Sequence, residues 1–143
     1  MRKIAVFFLA MMTLAGVRAQ TPDATRIRLS APEVRKEIVA VVSAQLDAFR
    51  ADDWEKAYSY SARTFQSVMS LDQFATLISR NYTVVWKNTR AEFALPSDNG
   101  RVAVVAVRVF SGGKSEAYNW LLVKEGGTWR ITGVVPQKTD TGA

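Results

Sequence analysis

Apolar positions along this chain recur with two different periods. Val34, Ile38, Val41, Val42, Leu46 and Phe49 fall three or four residues apart, the spacing of one helical face that runs to about Arg50. "SAPEV" opens it: Ser30 and Glu33 stand at capping-box spacing, Pro32 suits a first turn, and Leu29 with Val34 can form a hydrophobic staple. The same signature returns at Asp52 with Glu55, predicting a short helix from about Asp53 to Tyr60 with Trp54, Ala57 and Tyr58 inward. It returns again at Ser70 with Gln73, stapled by Met69 and Phe74, for a helix that buries Phe74, Leu77 and Ile78. "SARTFQSVM", between the last two, reads as a short edge strand or irregular coil.

From Tyr82 onward the period drops to two. Four β-type runs, about 83–95, 101–110, 115–125 and 128–136, are separated by "PSDNG", "SGGK" and "EGGT". Loops this short join antiparallel neighbours. The expected class is therefore α+β: three N-terminal helices packed on a four-stranded antiparallel meander, in one domain over residues 31–137. Two-residue turns at Gly112-Gly113 and Gly126-Gly127 fix the register. Ala103, Val105, Val107, Tyr118, Trp120, Leu122, Trp129, Ile131 and Val135 then share an aromatic face that should meet the helices. Val102, Val104, Ala106, Arg108, Asn119, Leu121, Val123, Arg130 and Thr132 share a mixed face.

The first residues belong to neither pattern. Arg2 and Lys3 precede an apolar run from Ile4 to Val17, and Val17-Arg18-Ala19 places small residues where a signal peptidase reads. That run is shorter than the roughly 20 residues a spanning helix needs, so residues 1–19 are expected to be a cleaved signal peptide, leaving no stable membrane anchor. The product is expected in the periplasm or outside the cell, with residues 20–30 as a flexible leader. Cleavage takes three of the 19 basic residues and lowers the net charge from +6 to +3. The remaining cations are scattered and follow no nucleic-acid motif, so no nucleic-acid partner is expected. No cysteine is present, so an apolar core rather than disulfides must supply the stability.

Three segments, "VVSAQLDAFRADDWEKAYSYSA", "SLDQFATLISRNY" and "GGTWRITGV", together resemble the cystatin-like cone of the nuclear transport factor two superfamily. More narrowly, the chain looks like the domain of unknown function family numbered 4864 over about residues 34 to 138. The carrying motifs are Asp53 to Ala57 after the first helix and Gly127 to Gly133 in the terminal hairpin. The resemblance implies a cone-like, curved sheet. It implies no single function, because the superfamily holds isomerases, dehydratases, ligand binders and transport factors on one scaffold.

The absence of histidine removes the commonest general base and most transition-metal sites, and no metal or cofactor is expected. Asp52, Asp53 and Glu55 are explained by helix capping. A carboxylate–tyrosine pair is the one acid–base scheme left, with Glu92 and Tyr118 as its candidate catalytic residues. A two-residue Asn99-Gly100 turn sets Glu92 opposite Val107, beside Tyr118; a three-residue loop sends Ala91, Phe93 and Leu95 inward and Glu92 outward near Arg108. The second is favoured because burying Glu92 and Arg90 without need costs several kcal/mol. Trp54, Tyr58, Tyr82, Tyr118 and Trp120 are candidates to line a pocket for a small apolar or aromatic ligand, or are ordinary core. Arg90, Arg108 and Arg130 could gather on the outer face. The expectation is an exported, non-catalytic ligand-binding or protein-interaction module; the alternative is a small cofactor-free isomerase or dehydratase. The apolar residues of the mixed face further predict a homodimer, unless the leader folds across them.

Overall fold

A computed structural model describes residues 26–137. The signal-peptide reading of residues 1–19 and most of the polar leader lie outside the described residues. The elements run β1 (Arg28–Leu29), α1 (Pro32–Arg50), α2 (Trp54–Ser59), α3 (Arg63–Val68), α4 (Leu71–Asn81) and α5 (Thr83–Trp86), then β2 (Arg90–Phe93), β3 (Ser97–Asp98), β4 (Val102–Ser111), β5 (Lys114–Glu125) and β6 (Thr128–Pro136). N-terminal helices thus pack against a mainly antiparallel sheet, the α+β arrangement the sequence implies. No helix among the described residues is long and apolar enough to cross a membrane.

α1 buries Ile38, Val42, Gln45, Leu46, Ala48 and Phe49. Its N-cap is Ala31, without a side-chain cap, so the expected Ser30 capping box is absent. Ser30 serves a different contact: its hydroxyl donates to the Asp98 carboxylate and its amide to the Pro96 carbonyl at 3.0 Å. Those bonds continue a short ladder in which Arg28 and Leu29 pair with Asp98 and Ser97. The last residues of the expected leader are therefore an edge strand.

Capping of α2 also moves by one residue. Asp53 accepts from the Lys56 amide at 3.1 Å, while Asp52, in the left-handed region at φ 59°, accepts from the Trp86 indole at 2.8 Å. "SARTFQSVM" forms a helix from Arg63 rather than a strand or coil, because its N-terminus is held from a distance. The Ala62 amide donates to the Ile131 carbonyl at 2.8 Å, and the Arg63 amide donates to the Glu125 carboxylate at 3.1 and 3.2 Å. α4 carries the capping box expected of it, with Ser70 and Gln73 bonded reciprocally. The helices number five among the described residues, not three.

The other correction is at Thr83–Trp86, which is helical although its β-branched run suggested a strand. Buried Asn88 explains the override. Its side-chain amide donates to the carbonyls of Leu46 at 3.1 Å and Val85 at 2.8 Å, locking α5 against α1.

The sheet order is β1-β3-β4-β5-β6, with β2 also on β4, so it is six-stranded rather than four-stranded, and it is open at both ends. β4 and β5 pair through Val107–Tyr118, Val105–Trp120 and Ala103–Leu122, and β5 and β6 through Leu122–Ile131 and Lys124–Trp129, the register the glycine turns predict. A bulge between Leu121 and Leu122 leaves Thr132 as an extra residue on β6. Parity flips beyond it: Val134 stands opposite Trp120 and joins the core, whereas Val135, expected inside, is 42% exposed.

Glu92 pairs with Arg108 and faces outward, although the loop that sets this differs from the expected one. Asn99 donates its amide to Val102 at 3.2 Å, so the turn centres on Gly100 and Arg101, with Gly100 at φ 92°. One residue of register is then recovered upstream, where Leu95 and Pro96 together stand opposite Val105, between the Ala94–Ala106 hydrogen bond and the Ser97–Val104 pair. Leu95, expected inward, is swung out by this irregularity and is 61% exposed.

Candidate functional site: a cavity between the fourth helix and the last strand

α4 presents Phe74, Leu77 and Ile78 toward the edge of β6, and the α2–α3 junction approaches that same edge from the side. Contact is made at one point, Ile131. Its amide donates to the Tyr60 carbonyl at 2.9 Å and its carbonyl accepts from Ala62. Further along, the Tyr82 hydroxyl donates to the Val134 carbonyl at 2.9 Å. The bulge at Thr132 lies between these two anchors, and the chain there does not close on the helices. What remains is an apolar cavity of about 50 Å³, open at one end, walled by Phe49, Phe65, Phe74, Leu77, Ile78 and Val134. Gln45, Ser61, Tyr82, Ile131, Thr132 and Gly133 complete it.

The polar groups on this wall are mostly committed. Gln45 donates to the Ala57 carbonyl at 3.1 Å and accepts from the Trp120 indole at 3.0 Å. The Thr132 hydroxyl donates to the Leu121 carbonyl at 3.3 Å. No Asp, Glu, Lys or Arg lines the cavity.

Of the five aromatic residues proposed from sequence, Tyr82 lines this cavity. Trp54 packs edge-on to Phe49 and against Trp86, with ring centres 5.8 and 5.6 Å apart. Tyr58 packs on Phe74 and donates to the Met69 carbonyl at 2.6 Å. Trp120 is fully buried, and these three side chains are core. Tyr118 packs against Tyr82, with ring centres 5.7 Å apart, and donates its hydroxyl to Glu116 at the rim of a separate open hollow lined by Asn81, Arg108 and Gln137. Burial, then the hydrogen bond and negative charge of Glu116, raise the Tyr118 hydroxyl well above the ordinary tyrosine range.

Glu92 and Tyr118 are not brought together. Glu92 is exposed on the mixed face and pairs with Arg90 at 2.9 Å, while the Tyr118 ring lies on the covered face. The three arginines do not cluster either. Arg90 lies over the Phe110 ring at 3.8 Å, Arg108 donates to Ser115 at 3.1 Å, and Arg130 to the Ser59 carbonyl at 2.9 Å. Among the described residues, no group of three or more carboxylates could hold a metal ion.

Sequence reasoning missed Gln45, Ser61, Phe65 and Thr132 as wall residues. Gln45 left a signal, since it occupies a stripe position between Val42 and Phe49 where an apolar residue is expected. Ser61 and Phe65 fall in the segment without a clear period, and the Thr132 bulge is invisible to alternation.

The fold and the cavity define an open-sheet α+β domain with an uncharged, aromatic-walled recess. The family model described as Domain of unknown function (DUF4864) matches residues 31–142, and the chain belongs to that family. No curated protein matches the chain.

Proposed function

We propose that this chain is an exported, non-catalytic binding module with the cone-type fold of the nuclear transport factor two superfamily, and that it takes a small apolar ligand in the α4–β6 cavity. The observation that carries the reading is the wall itself: Phe49, Phe65, Phe74 and Ile78 line the space with apolar surface, and no charged side chain reaches it. Such a recess binds through apolar contact and offers no carboxylate to move a proton. In the same reading two copies associate through the mixed sheet face. Val102, Leu121 and Val135 are exposed there beside the half-buried Val104 and Val123, a patch that a second copy can cover. The carboxylate–tyrosine alternative gains no comparable support, because Glu92 and Tyr118 lie on opposite faces.

Protein isolated from its own cell envelope tests this. Solvent extraction and mass analysis should release a small, weakly polar compound, and a panel of small apolar molecules should raise the melting temperature of stripped protein. Neither a released compound nor a shift with any member of the panel would sink the reading.

A further inference from the structure

The cavity wall contains one polar side-chain atom without a protein partner, the Ser61 hydroxyl. Ser61 is 2% exposed and rigidly placed: its amide donates to the Tyr58 carbonyl at 3.0 Å, its carbonyl accepts from the Gln66 side chain at 3.1 Å, and its backbone bridges to Ile131. The other polar side chains of the wall, Gln45, Tyr82 and Thr132, are all engaged within the protein. A nearly buried hydroxyl without a protein partner gains a hydrogen bond when a bound molecule supplies one. Water is a poor occupant, because an ordered buried water wants two to four polar partners and the side chains of this wall offer one free hydroxyl. A charged ligand is equally unsuited, because its desolvation would go uncompensated on an uncharged wall.

We propose that the cavity selects a compact neutral molecule with one oxygen on an apolar body, a short-chain alcohol or ketone, hydrogen-bonded to Ser61 Oγ. Size sets the upper limit: the enclosed space of about 50 Å³ is a fraction of the roughly 150 Å³ that takes a benzene ring, so only a ligand of a few non-hydrogen atoms, reaching toward the open end, is accommodated. The proposal rests on the ligand-binding reading of the same cavity and adds the chemistry by which it discriminates. The hydroxyl can donate to a ketone, and can donate to or accept from an alcohol.

Three probes separate the claims: xenon, butan-2-ol and butan-2-one, each titrated against the full mature protein while methyl resonances of Leu77, Ile78 and Ile131 are followed. All three should perturb those methyls in the wild type. In Ser61→Ala, affinity for both oxygen-bearing probes should fall about fivefold, the worth of one neutral hydrogen bond, while xenon affinity stays within about twofold. Retained xenon binding also shows that the variant is folded. Failure of all three probes on the wild type would overturn the ligand-binding reading together with this one. Xenon binding without butan-2-ol or butan-2-one binding, or oxygen-bearing probes that Ser61→Ala leaves unweakened, would overturn the Ser61 assignment alone. Equal losses for xenon and the oxygen-bearing probes would also overturn it, since they would mark a reshaped cavity rather than a lost bond.

Discussion

The two faces of the β4–β6 sheet start from similar material and end differently. β4 sends Ala103, Val105, Val107 and Val109 to one side and Val102, Val104 and Ala106 to the other, both apolar. On the first side every residue is buried beneath the helices; on the second, Val102 is 42% and Leu121 37% exposed. Aliphatic content alone does not select the covered face. The covered face also owns the large aromatics, Tyr118, Trp120 and Trp129, and the polar anchors that bind helix to sheet. Gln45 ties α1 to Trp120 and to the Ala57 carbonyl of α2, and Asn88 ties α5 to α1, each from a nearly fully buried position. Apolar area makes both faces adhesive, and the buried hydrogen bonds make one of them specific.

The most severe way to break the comparison is at neighbouring residues that point to opposite faces. Trp129→Ala removes a ring 97% shielded from water and should cost about 3–5 kcal/mol. The Trp129 indole N–H is completely shielded and makes no hydrogen bond, so the loss is that of the ring's packing together with the Lys124 ammonium 5.2 Å from its centre. Arg130→Ala loses a half-exposed bond to the Ser59 carbonyl and should cost no more than about 1.5 kcal/mol. Chemical denaturation of the pair decides it, and equal losses would mean that the two side chains do not face opposite ways. Next in size, Gln45→Leu keeps the shape of α1's stripe but strands the Trp120 indole and the Ala57 carbonyl. A loss of about 1–3 kcal/mol is expected. A neutral or stabilising outcome would show that apolar fit, not the anchor, defines the covered face.

Legibility in the sequence followed the same division. The covered face could be read because Gly112-Gly113 and Gly126-Gly127 pin two hairpins, and a pinned turn propagates its parity along the ladder, seven pairs to Trp120 and four to Ile131. Parity failed wherever the backbone adds a residue, at Thr132 and at Leu95-Pro96, because alternation carries no mark of a bulge. Local propensity failed where tertiary bonds outvoted it. Thr83–Trp86 is drawn into a helix under Asn88, and the start of Arg63–Val68 is held by Glu125, 62 residues further along the chain. The cavity joins legible and illegible parts: Phe49, Phe74, Leu77 and Ile78 come from the helical stripes, while the Thr132 bulge and Phe65 of the helix that begins at Arg63 complete the wall, and Tyr82 alone of the five proposed aromatics reaches it.

The open face is tested by placing a charge on it. Val104→Glu substitutes a half-buried residue at the middle of the mixed face and should change folding stability by less than about 1 kcal/mol, as surface substitutions of this kind do. Its expected effect is on association: the proposed dimer should sediment as a monomer at micromolar concentration. A wild-type protein that is already monomeric would remove the reason for the patch, and a dimer untouched by the charge would place the interface elsewhere.

Tyr118 offers the finest test, because it lies where the covered face meets solvent. Its ring packs against Tyr82 and Trp120, with centres 5.7 and 6.1 Å apart, while its hydroxyl reaches out to the Glu116 carboxylate. Burial and the adjacent negative charge both disfavour a phenolate, so the folded protein holds Tyr118 protonated at a pH where an unfolded tyrosine has ionised. The sign follows from proton binding. Below pH 10, the ordinary tyrosine value, both states carry the proton and the contribution is fully present; above it the unfolded chain releases a proton that the folded chain retains, and stability falls as pH rises. The difference between alkaline titrations of the wild type and Tyr118→Phe, followed by phenolate absorbance, should therefore assign to Tyr118 an ionisation well above pH 10. Tyr118→Phe should also flatten the alkaline limb of the stability profile, while neutral stability changes by no more than about 3 kcal/mol, the upper worth of one hydrogen bond to a charged group. A Tyr118 difference curve centred near pH 10 would mean that its hydroxyl lies in solvent, and the covered face would then stop short of the Val107–Tyr118 pair.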